Sequence, residues 1–440
     1  MLQTGFARTD ITPYLGTSLQ GYFHPRYAEG VLDPLQAHAV AFDNGEKKAV
    51  LIGLDLIGIH QSLMGELRQA IGEAVGLPAE AIFICCTHTH LGPGTADARG
   101  NRENEDYREF LRRRLQDLAV MALKDVAPTE MLYTRGEAKD VAFLRRFRMK
   151  DGSVRTNPGR QNPDIIAPIG HCDETSSLLI LKREGKPEIG IVNFQVHPDV
   201  IGGSLISADY PGFVRRTYEK LIPNSYCLYL NGAQGNLNHI DVRLPKGERS
   251  GGYSRARYMG EKIALSVIAN YCHADKLEGD TIDYIQAPLT VWYNKGRPEQ
   301  LEEAMRIHQR YLEVGEDKKV FPEGAVKGMG ATTLVAEAVR IVALMEKPDT
   351  TTLPLTALRV GDFALAGLPG EPFNEIGSAI KEASPFPLTM ASCCANGYEG
   401  YFPTEDCFAE FSYETATANY RADTATNMIR ISLELLNKIK

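Results

Sequence analysis

The chain has 440 residues, of which 43% are hydrophobic and 24% are charged, and this ordinary globular composition excludes a largely disordered protein. The net charge of −8, without a long basic run, argues against nucleic acid or an anionic membrane as the main partner. We therefore expect a folded protein with a sizeable core that acts on a small molecule.

No stretch is apolar over the length that is needed to cross a bilayer, and the N-terminus lacks the charged and then apolar pattern of a signal peptide. The eight cysteines include no CxxC motif, and they predict reduced core residues instead of a disulfide framework or a zinc finger. These features lead us to expect a cytoplasmic protein without a membrane anchor.

Apolar runs and turn signals predict alternating strands and helices along the whole chain. Strands are predicted over 5–13, 33–42, 49–59, 81–85, 141–149, 189–196, 226–230, 363–368 and 388–394. Helices are predicted over 61–75, 103–123, 209–221, 254–271, 298–314, 332–345 and 414–437. The pattern indicates an α/β fold with a mixed β-sheet core flanked by helices. We expect a single domain over 1–440, with a helical excursion at about 297–346.

The segment 87–94, which reads THTHLGPG, follows the apolar run 81–85 directly. Because alternate residues of a strand share a face, His88 and His90 are predicted to point the same way. Two neighbouring imidazoles at the end of a buried strand indicate a metal site or an acid–base site.

Other predicted strands also end at polar residues that could take part in chemistry. These residues are His197, Asn231, Glu371 and Asn396. Functional groups collect beyond strand ends in parallel and mixed sheets, so we expect the active site there. Two histidines and a carboxylate that leave one position open form a known hydrolytic zinc pattern, although no local motif such as HExxH is present.

Two charged positions allow more than one interpretation. Asp55 is the one charge in its predicted strand, where it is either a salt-bridged core residue or a partner that orients a metal-bound histidine. Three arginines fall within residues 145–148, and they form either a solvated edge or, if one points inward, an oxyanion-binding group.

The sequence resembles the neutral/alkaline, non-lysosomal ceramidase family, in its catalytic N-terminal domain, over nearly its whole length. The likeness includes GFARTDIT at 5–12, DPL at 33–35, the THTHLGPG segment and Tyr413-Glu414. The resemblance implies one Zn²⁺ per chain, held by His88, His197, Glu371 and Tyr401. It also implies catalytic roles for His90, Arg145 and Tyr413.

The sequence departs from the family pattern in ways that disfavour ceramide as the substrate. The loop that carries the family's active-site serine has Asn238 in that place, and Leu144 replaces the asparagine that precedes Arg145. We also expect the protein to lack the immunoglobulin-like C-terminal domain and the secretion signal of the ceramidases. The expected substrate is therefore small, polar and water-soluble.

The resemblance implies hydrolysis of an amide bond by a zinc-activated water. In this scheme His90 moves the proton, Arg145 and Tyr413 stabilise the oxyanion, and Asp55 or Asp209 orients a ligand histidine. Asn238 is a further candidate at the edge of the site. Alternative functions are hydrolysis of an ester or lactone, processing of a glycan or phosphoester, and ligand binding without catalysis.

Overall fold

The computed structural model describes residues 1–95, 105–246, 250–326 and 328–440. Two β-sheets form the centre of the molecule. The larger sheet contains the strands β1 (Gln3–Asp10), β2 (Gln36–Asp43), β3 (Lys48–Leu54), β4 (Ile82–Cys86), β5 (Ala127–Glu137), β6 (Thr175–Arg183), β7 (Glu188–Phe194), β8 (Ser225–Asn231) and β9 (Asp275–Leu277). The smaller sheet contains β10 (Ile282–Trp292), β11 (Thr350–Val360), β12 (Phe363–Gly367) and β13 (Leu388–Ser392).

Strand order in the larger sheet is β8–β7–β6–β5–β1–β2–β3–β4, and β9 pairs with β5. The smaller sheet has the simple order β10–β11–β12–β13. Most neighbours are antiparallel, but β3–β4, β7–β8 and β12–β13 are parallel. Parallel neighbours need a crossover connection, and here helices supply all three.

The described helices are α1 (Gln61–Val75), α2 (Glu105–Lys124), α3 (Asp209–Leu221), α4 (Tyr253–Ile268), α5 (Leu301–Val314), α6 (Gly330–Leu344), α7 (Asn374–Ala383), α8 (Tyr413–Thr417) and α9 (Thr424–Lys438). The crossovers between parallel strands use α1, α3 and α7. Helices α5 and α6 are inserted between β10 and β11, within the range in which the sequence predicts a helical excursion.

The two sheets face each other across one hydrophobic core. Phe42, Leu51 and Phe83 enter this core from the larger sheet, and Phe363 and Met390 enter it from the smaller one. Helices cover the opposite faces, with α1 to α4 on the larger sheet and α7 and α9 on the smaller one. Because strands such as β3 and β4 are buried on both faces, their sequences are continuous apolar runs.

The predicted mixed α/β class is confirmed, but the strands form two stacked sheets where the sequence indicates one core sheet. The sequence did not reveal β5, β6, β10 and β11, because polar side chains interrupt their apolar pattern. The C-terminal helix α9 begins at Thr424 and not at 414, since α8 ends at Thr417. Residues 103 and 104 of the predicted helix 103–123 lie outside the described residues.

Short strands and turns complete the described chain. Two-residue strands pair across the loops at Leu237–Asn238 with Phe143–Leu144, and at Glu371–Pro372 with Tyr401–Phe402. A three-stranded sheet is formed by Arg146–Met149, Val154–Thr156 and Ile165–Pro168, so the predicted strand 141–149 is broken at Arg145. Among the helices that the structure describes, none combines the length and apolar character required to cross a membrane.

A buried ion pair joins the larger sheet to α3. Both carboxylate oxygens of Asp55 accept hydrogen bonds from the Arg215 guanidinium, at 2.9 and 2.6 Å, and the two side chains are at most 5% exposed. The backbone N–H of Gln36 also donates to Asp55, at 2.9 Å. This geometry agrees with the salt-bridged interpretation of Asp55.

Replacing one partner of this pair should destabilise the fold strongly. We expect Asp55→Ala to lower the free energy of unfolding by about 3–5 kcal/mol, because Arg215 then keeps a buried charge without a counterion. Asp283→Ala is the matched control, since Asp283 pairs with Lys47 at the surface and its loss should cost at most about 1 kcal/mol. Guanidinium unfolding measures both, and equal losses would contradict the prediction.

Candidate metal centre

The carboxyl ends of the three parallel strand pairs meet at one site. The chain leaving β4 carries His88, and the chain leaving β7 carries His197. Glu371 follows β12, and Tyr401 lies in the segment after β13. Because crossovers place the carboxyl ends of parallel strands side by side, four residues that are far apart in sequence become neighbours.

His88 does not lie on a strand. Strand β4 ends at Cys86, and His88 has a left-handed backbone with φ of 73°. The prediction that strand alternation aligns His88 with His90 is therefore wrong. Their rings are nevertheless close, with centroids 5.1 Å apart, because the turn brings them together. A non-glycine residue in this region stores strain, which is common at functional sites.

Backbone carbonyls fix the orientation of both His88 and His197. The Nδ1 of His88 lies 2.6 Å from the carbonyl oxygen of Ile57. The Nδ1 of His197 lies 3.1 and 3.0 Å from the carbonyl oxygens of Gln234 and Leu237. A carbonyl can only accept, so each Nδ1 carries a proton, and in the neutral rings each Nε2 presents a lone pair to the site.

Glu371 lies between these two rings. Its Oε2 is 3.3 Å from the Nε2 of His88 and 2.9 Å from the Nε2 of His197. Its Oε1 accepts a hydrogen bond from the Tyr398 hydroxyl at 2.6 Å. Two lone pairs and a carboxylate oxygen repel each other unless a cation lies among them, so this arrangement fits a metal ion.

The cluster offers both nitrogen and oxygen donors to a metal ion. The Tyr401 hydroxyl is 3.1 Å from the Nε2 of His197, so two imidazoles, one carboxylate and one phenol surround the same space. Nitrogen and oxygen donors of these kinds suit Zn²⁺. An overlapping donor set contains His88, His90 and His197, whose ligand atoms lie within 4.8 Å of one another.

The three predicted catalytic residues border this cluster. Arg145 donates from Nε to Glu414 at 2.7 Å and from Nη2 to the carbonyl oxygen of Gly235 at 2.7 Å. Its guanidinium carbon is 5.1 Å from the centre of the Tyr401 ring, and the Tyr413 ring packs edge-on against Tyr401. Arg145 is thus the inward-pointing arginine among residues 145–148 that faces the cluster.

Burial and neighbouring charges shift the pKa values of the side chains in the cluster. Burial, together with the charge of Arg145, lowers the pKa of His197 to about 4. Burial and the adjacent histidines lower the pKa of His90 well below its ordinary value. Burial alone would raise the pKa of Glu371, but His88 and His197 hold it well below its usual range. His90 and His197 are therefore neutral at neutral pH, and Glu371 is ionised.

The predicted orienting residues lie elsewhere. Asp55 pairs with Arg215, and Asp209 accepts hydrogen bonds from the backbone N–H groups of Val200 and Ile201 at 3.0 and 2.9 Å. Backbone carbonyls, and not these carboxylates, orient the rings of His88 and His197. Asp209 instead fixes the loop after His197.

Asn238 links two loops beside the cluster. Its amide donates to the side-chain oxygen of Asn157 at 2.7 Å, and its own oxygen accepts from the backbone of Ile240 at 3.0 Å. Its neighbour Leu237 supplies one of the carbonyls that orient His197. Asn238 therefore supports the loop that carries this carbonyl.

Three further residues of the site were not recognised in the sequence. Tyr398 binds Glu371, and it is the first tyrosine of the pair whose second member is Tyr401. Asp199 lies two residues after His197, and the hydroxyl of Tyr22 donates to it. The Tyr-x-x-Tyr spacing could have indicated Tyr398, whereas Tyr22 and Asp199 meet only through the fold.

A cavity of about 280 Å³ adjoins the cluster. Tyr22, Tyr398 and Tyr401 border it on the side of the histidines. Helix α6 forms another wall, and polar groups of the lining include His60, Glu399 and Asn419. The cavity gives a small molecule room next to the candidate metal site.

The fold is that of the neutral ceramidases. The structure of neutral ceramidase from Pseudomonas aeruginosa superposes with a TM-score of 0.74 at 18% sequence identity, over 99% of this chain and 74% of that chain. A ceramidase complexed with C2 gives a TM-score of 0.73 with the same identity and coverage. No protein-family model and no curated protein matches the sequence. The predicted resemblance is thus confirmed at the level of the fold.

The cluster should bind zinc through His197. We expect the purified protein to hold one zinc ion per chain and His197→Ala to lose it, because the variant lacks the imidazole that faces Glu371. His171→Ala is the control, since His171 is exposed and distant in sequence from every predicted ligand. Emission spectroscopy of dialysed protein gives the metal content, and zinc retained by His197→Ala would refute the assignment.

Acid should destabilise the metal-free protein. His38, His90, His197 and His239 are buried, and burial depresses the pKa of each one below the ordinary 6.5. As the pH falls from 6.5 towards 4, these histidines take up protons more readily in the unfolded chain than in the folded protein. The free energy of unfolding therefore falls over this range. Burial raises the pKa of Asp199 to about 6 and that of Asp209 to about 7. These two carboxyl groups bind protons more readily in the folded state, so they oppose the loss of stability but involve fewer protons.

Thermal unfolding without metal measures this balance. The Tm should be lower at pH 5 than at pH 7, because the protons that the four histidines take up on unfolding outweigh those that Asp199, Asp209, Glu337 and Glu399 release. The exposed His171→Gln variant should show the same difference between the two pH values. A higher Tm at pH 5 would contradict the prediction.

Proposed function

We propose that the protein is a zinc-dependent hydrolase that cleaves the amide bond of a small, polar N-acyl compound. The observation that carries this proposal is the position of Glu371, with one oxygen facing the Nε2 atoms of both His88 and His197. The similarity of the fold to that of ceramidases supports an amide as the scissile bond.

His88, His197, Glu371 and Tyr401 would hold the zinc. When bound, zinc supplies a water whose pKa is lowered to about 7, so that it can attack a carbonyl carbon at neutral pH. The remaining tasks fall to the surrounding side chains, which move a proton and stabilise negative charge.

His90 is suited to the proton transfer. Its ring lies 5.1 Å from that of His88 and 6.0 Å from that of His197, between the donor cluster and the cavity-lining Tyr22. The lowered pKa keeps it neutral, so it can accept a proton and then return it to the leaving amine.

Arg145 is suited to stabilising the developing negative oxygen. Burial opposes its charge, but Tyr401 and Glu414 outweigh this effect and raise the pKa of the guanidinium above its ordinary value. A permanent, preorganised positive charge beside Tyr401 would favour a transition state with an oxyanion, and Tyr413 borders the same space.

The cavity supports a small substrate. Its volume of about 280 Å³ lies just below the lower bound of drug-sized ligand pockets, which is roughly 300 Å³. His60, Glu399 and Asn419 provide polar partners in the lining, and the wall from α6 limits its extent. A small compound matches this volume better than a long acyl chain does.

Substitution of His90 should reduce the activity without removing the metal ion. We expect zinc-loaded protein to hydrolyse at least one short-chain N-acyl compound from a panel that includes ceramide, N-acyl amino acids and N-acyl amino sugars. His90→Gln should keep zinc and lose about 100- to 10,000-fold in kcat, because only the proton transfer is removed. His197→Ala should lose zinc and activity together.

The same measurements decide among the alternatives. Two metal ions per chain would favour a phosphoesterase, and a metal-free, inactive protein would favour a binding module. Cleavage of matched esters without cleavage of any amide in the panel would identify an esterase. Full activity in zinc-free protein would refute the proposal as a whole.

A further inference from the structure

The surroundings of His90 differ from those of the other two histidines. The residue is 8% exposed, and among the described residues neither of its ring nitrogens has a hydrogen-bond partner. No carbonyl of the described chain therefore fixes its tautomer, in contrast to His88 and His197. The Nδ1 faces a carboxylate oxygen of Asp199 at 3.8 Å.

Asp199 is held in place from the opposite side. The hydroxyl of Tyr22 donates to the same carboxylate oxygen that faces His90. The guanidinium carbon of Arg26 lies 4.0 Å from the centre of the Tyr22 ring, and Arg26 also donates to the carbonyl oxygen of His90 at 2.7 Å. Arg26 thus ties the backbone of His90 to the tyrosine that holds Asp199.

The chain next to Tyr22 is shaped to admit the His90 ring. Gly21 has φ of +121°, and a Cβ at this position would lie 2.5 Å from the Nδ1 of His90. A side chain there would displace the ring from its place beside Asp199. Gly21 therefore leaves room for the His90 ring, and Tyr22 holds the Asp199 carboxylate that faces the Nδ1 of this ring.

We propose that Asp199, held by Tyr22, is a positioning residue for His90, an inference that rests on the proposed function. The carboxylate attracts the proton to Nδ1 and leaves the lone pair of Nε2 to accept a proton during hydrolysis. A ring movement of about 1 Å would bring the pair from 3.8 Å to hydrogen-bond distance.

The activity test compares three variants. Asp199→Asn keeps the size of the side chain but removes its charge, and we expect kcat to fall about 10- to 100-fold with zinc content and KM retained. Tyr22→Phe should give a smaller loss in the same direction. Glu188→Gln is the matched control, because Glu188 also accepts from a tyrosine, Tyr218 at 2.8 Å, but begins β7 at the end remote from the site.

A spectroscopic test addresses the tautomer directly in metal-free protein. Long-range ¹H–¹⁵N correlation spectra should show His90 protonated at Nδ1 in the wild type and Glu188→Gln, and protonated at Nε2 or mixed in Asp199→Asn. The signals that disappear in His90→Gln identify the ring. If the tautomer is the same in the wild type and Asp199→Asn, or if the wild type is protonated at Nε2, the inference is wrong.

The two measurements separate this inference from the proposed function. A wild type that cleaves no compound of the panel overturns the proposed function, while the spectra still decide whether Asp199 sets the tautomer. An Asp199→Asn variant that loses zinc or structure along with activity shows a structural role and overturns the positioning role.

Discussion

One carboxylate oxygen of Glu371 faces two imidazole nitrogens whose protons are held on the far side of their rings. This contact is repulsive without a cation, and the surrounding structure is built to maintain it. Carbonyls of Ile57 and Leu237 keep the histidines from turning, and Tyr398 holds the other oxygen of the carboxylate. A cation held between these three atoms would compensate for the burial of the Glu371 carboxylate, a group that normally prefers water.

The sheets supply the rigidity that such a contact requires. In two mainly antiparallel sheets, three pairs of strands are parallel, and their carboxyl ends lead into the site. Left-handed backbone at His88, Cys394 and Asn396 marks the turns that leave two of these strands. A core shared by both sheets offsets this strain and keeps the donors in position.

Sequence reasoning succeeded where one physical signal was sufficient. Continuous apolar runs revealed β3, β4 and β12, and polar residues at their ends indicated His88 and Glu371. It failed for β10, where exposed side chains break the pattern, and for β11, where Pro354, Thr356 and Arg359 interrupt the apolar residues. It also could not find the partners of the histidines, because a backbone carbonyl has no signature in a sequence. Asp199 and Tyr22, 177 positions apart, meet only when the chain is folded.

The helical pair α5 and α6 has a consequence for how the fold can diversify. The pair is inserted between β10 and β11, and its helix α6 forms one wall of the cavity. Neither helix contains a predicted metal-site or catalytic residue. Changes of length or composition in this insertion therefore reshape the space for a substrate, and they also alter the packing around Tyr401 and Tyr413. Relatives with nearly superimposable reactive groups need not accept the same molecule, so chemistry and selectivity are free to diverge separately.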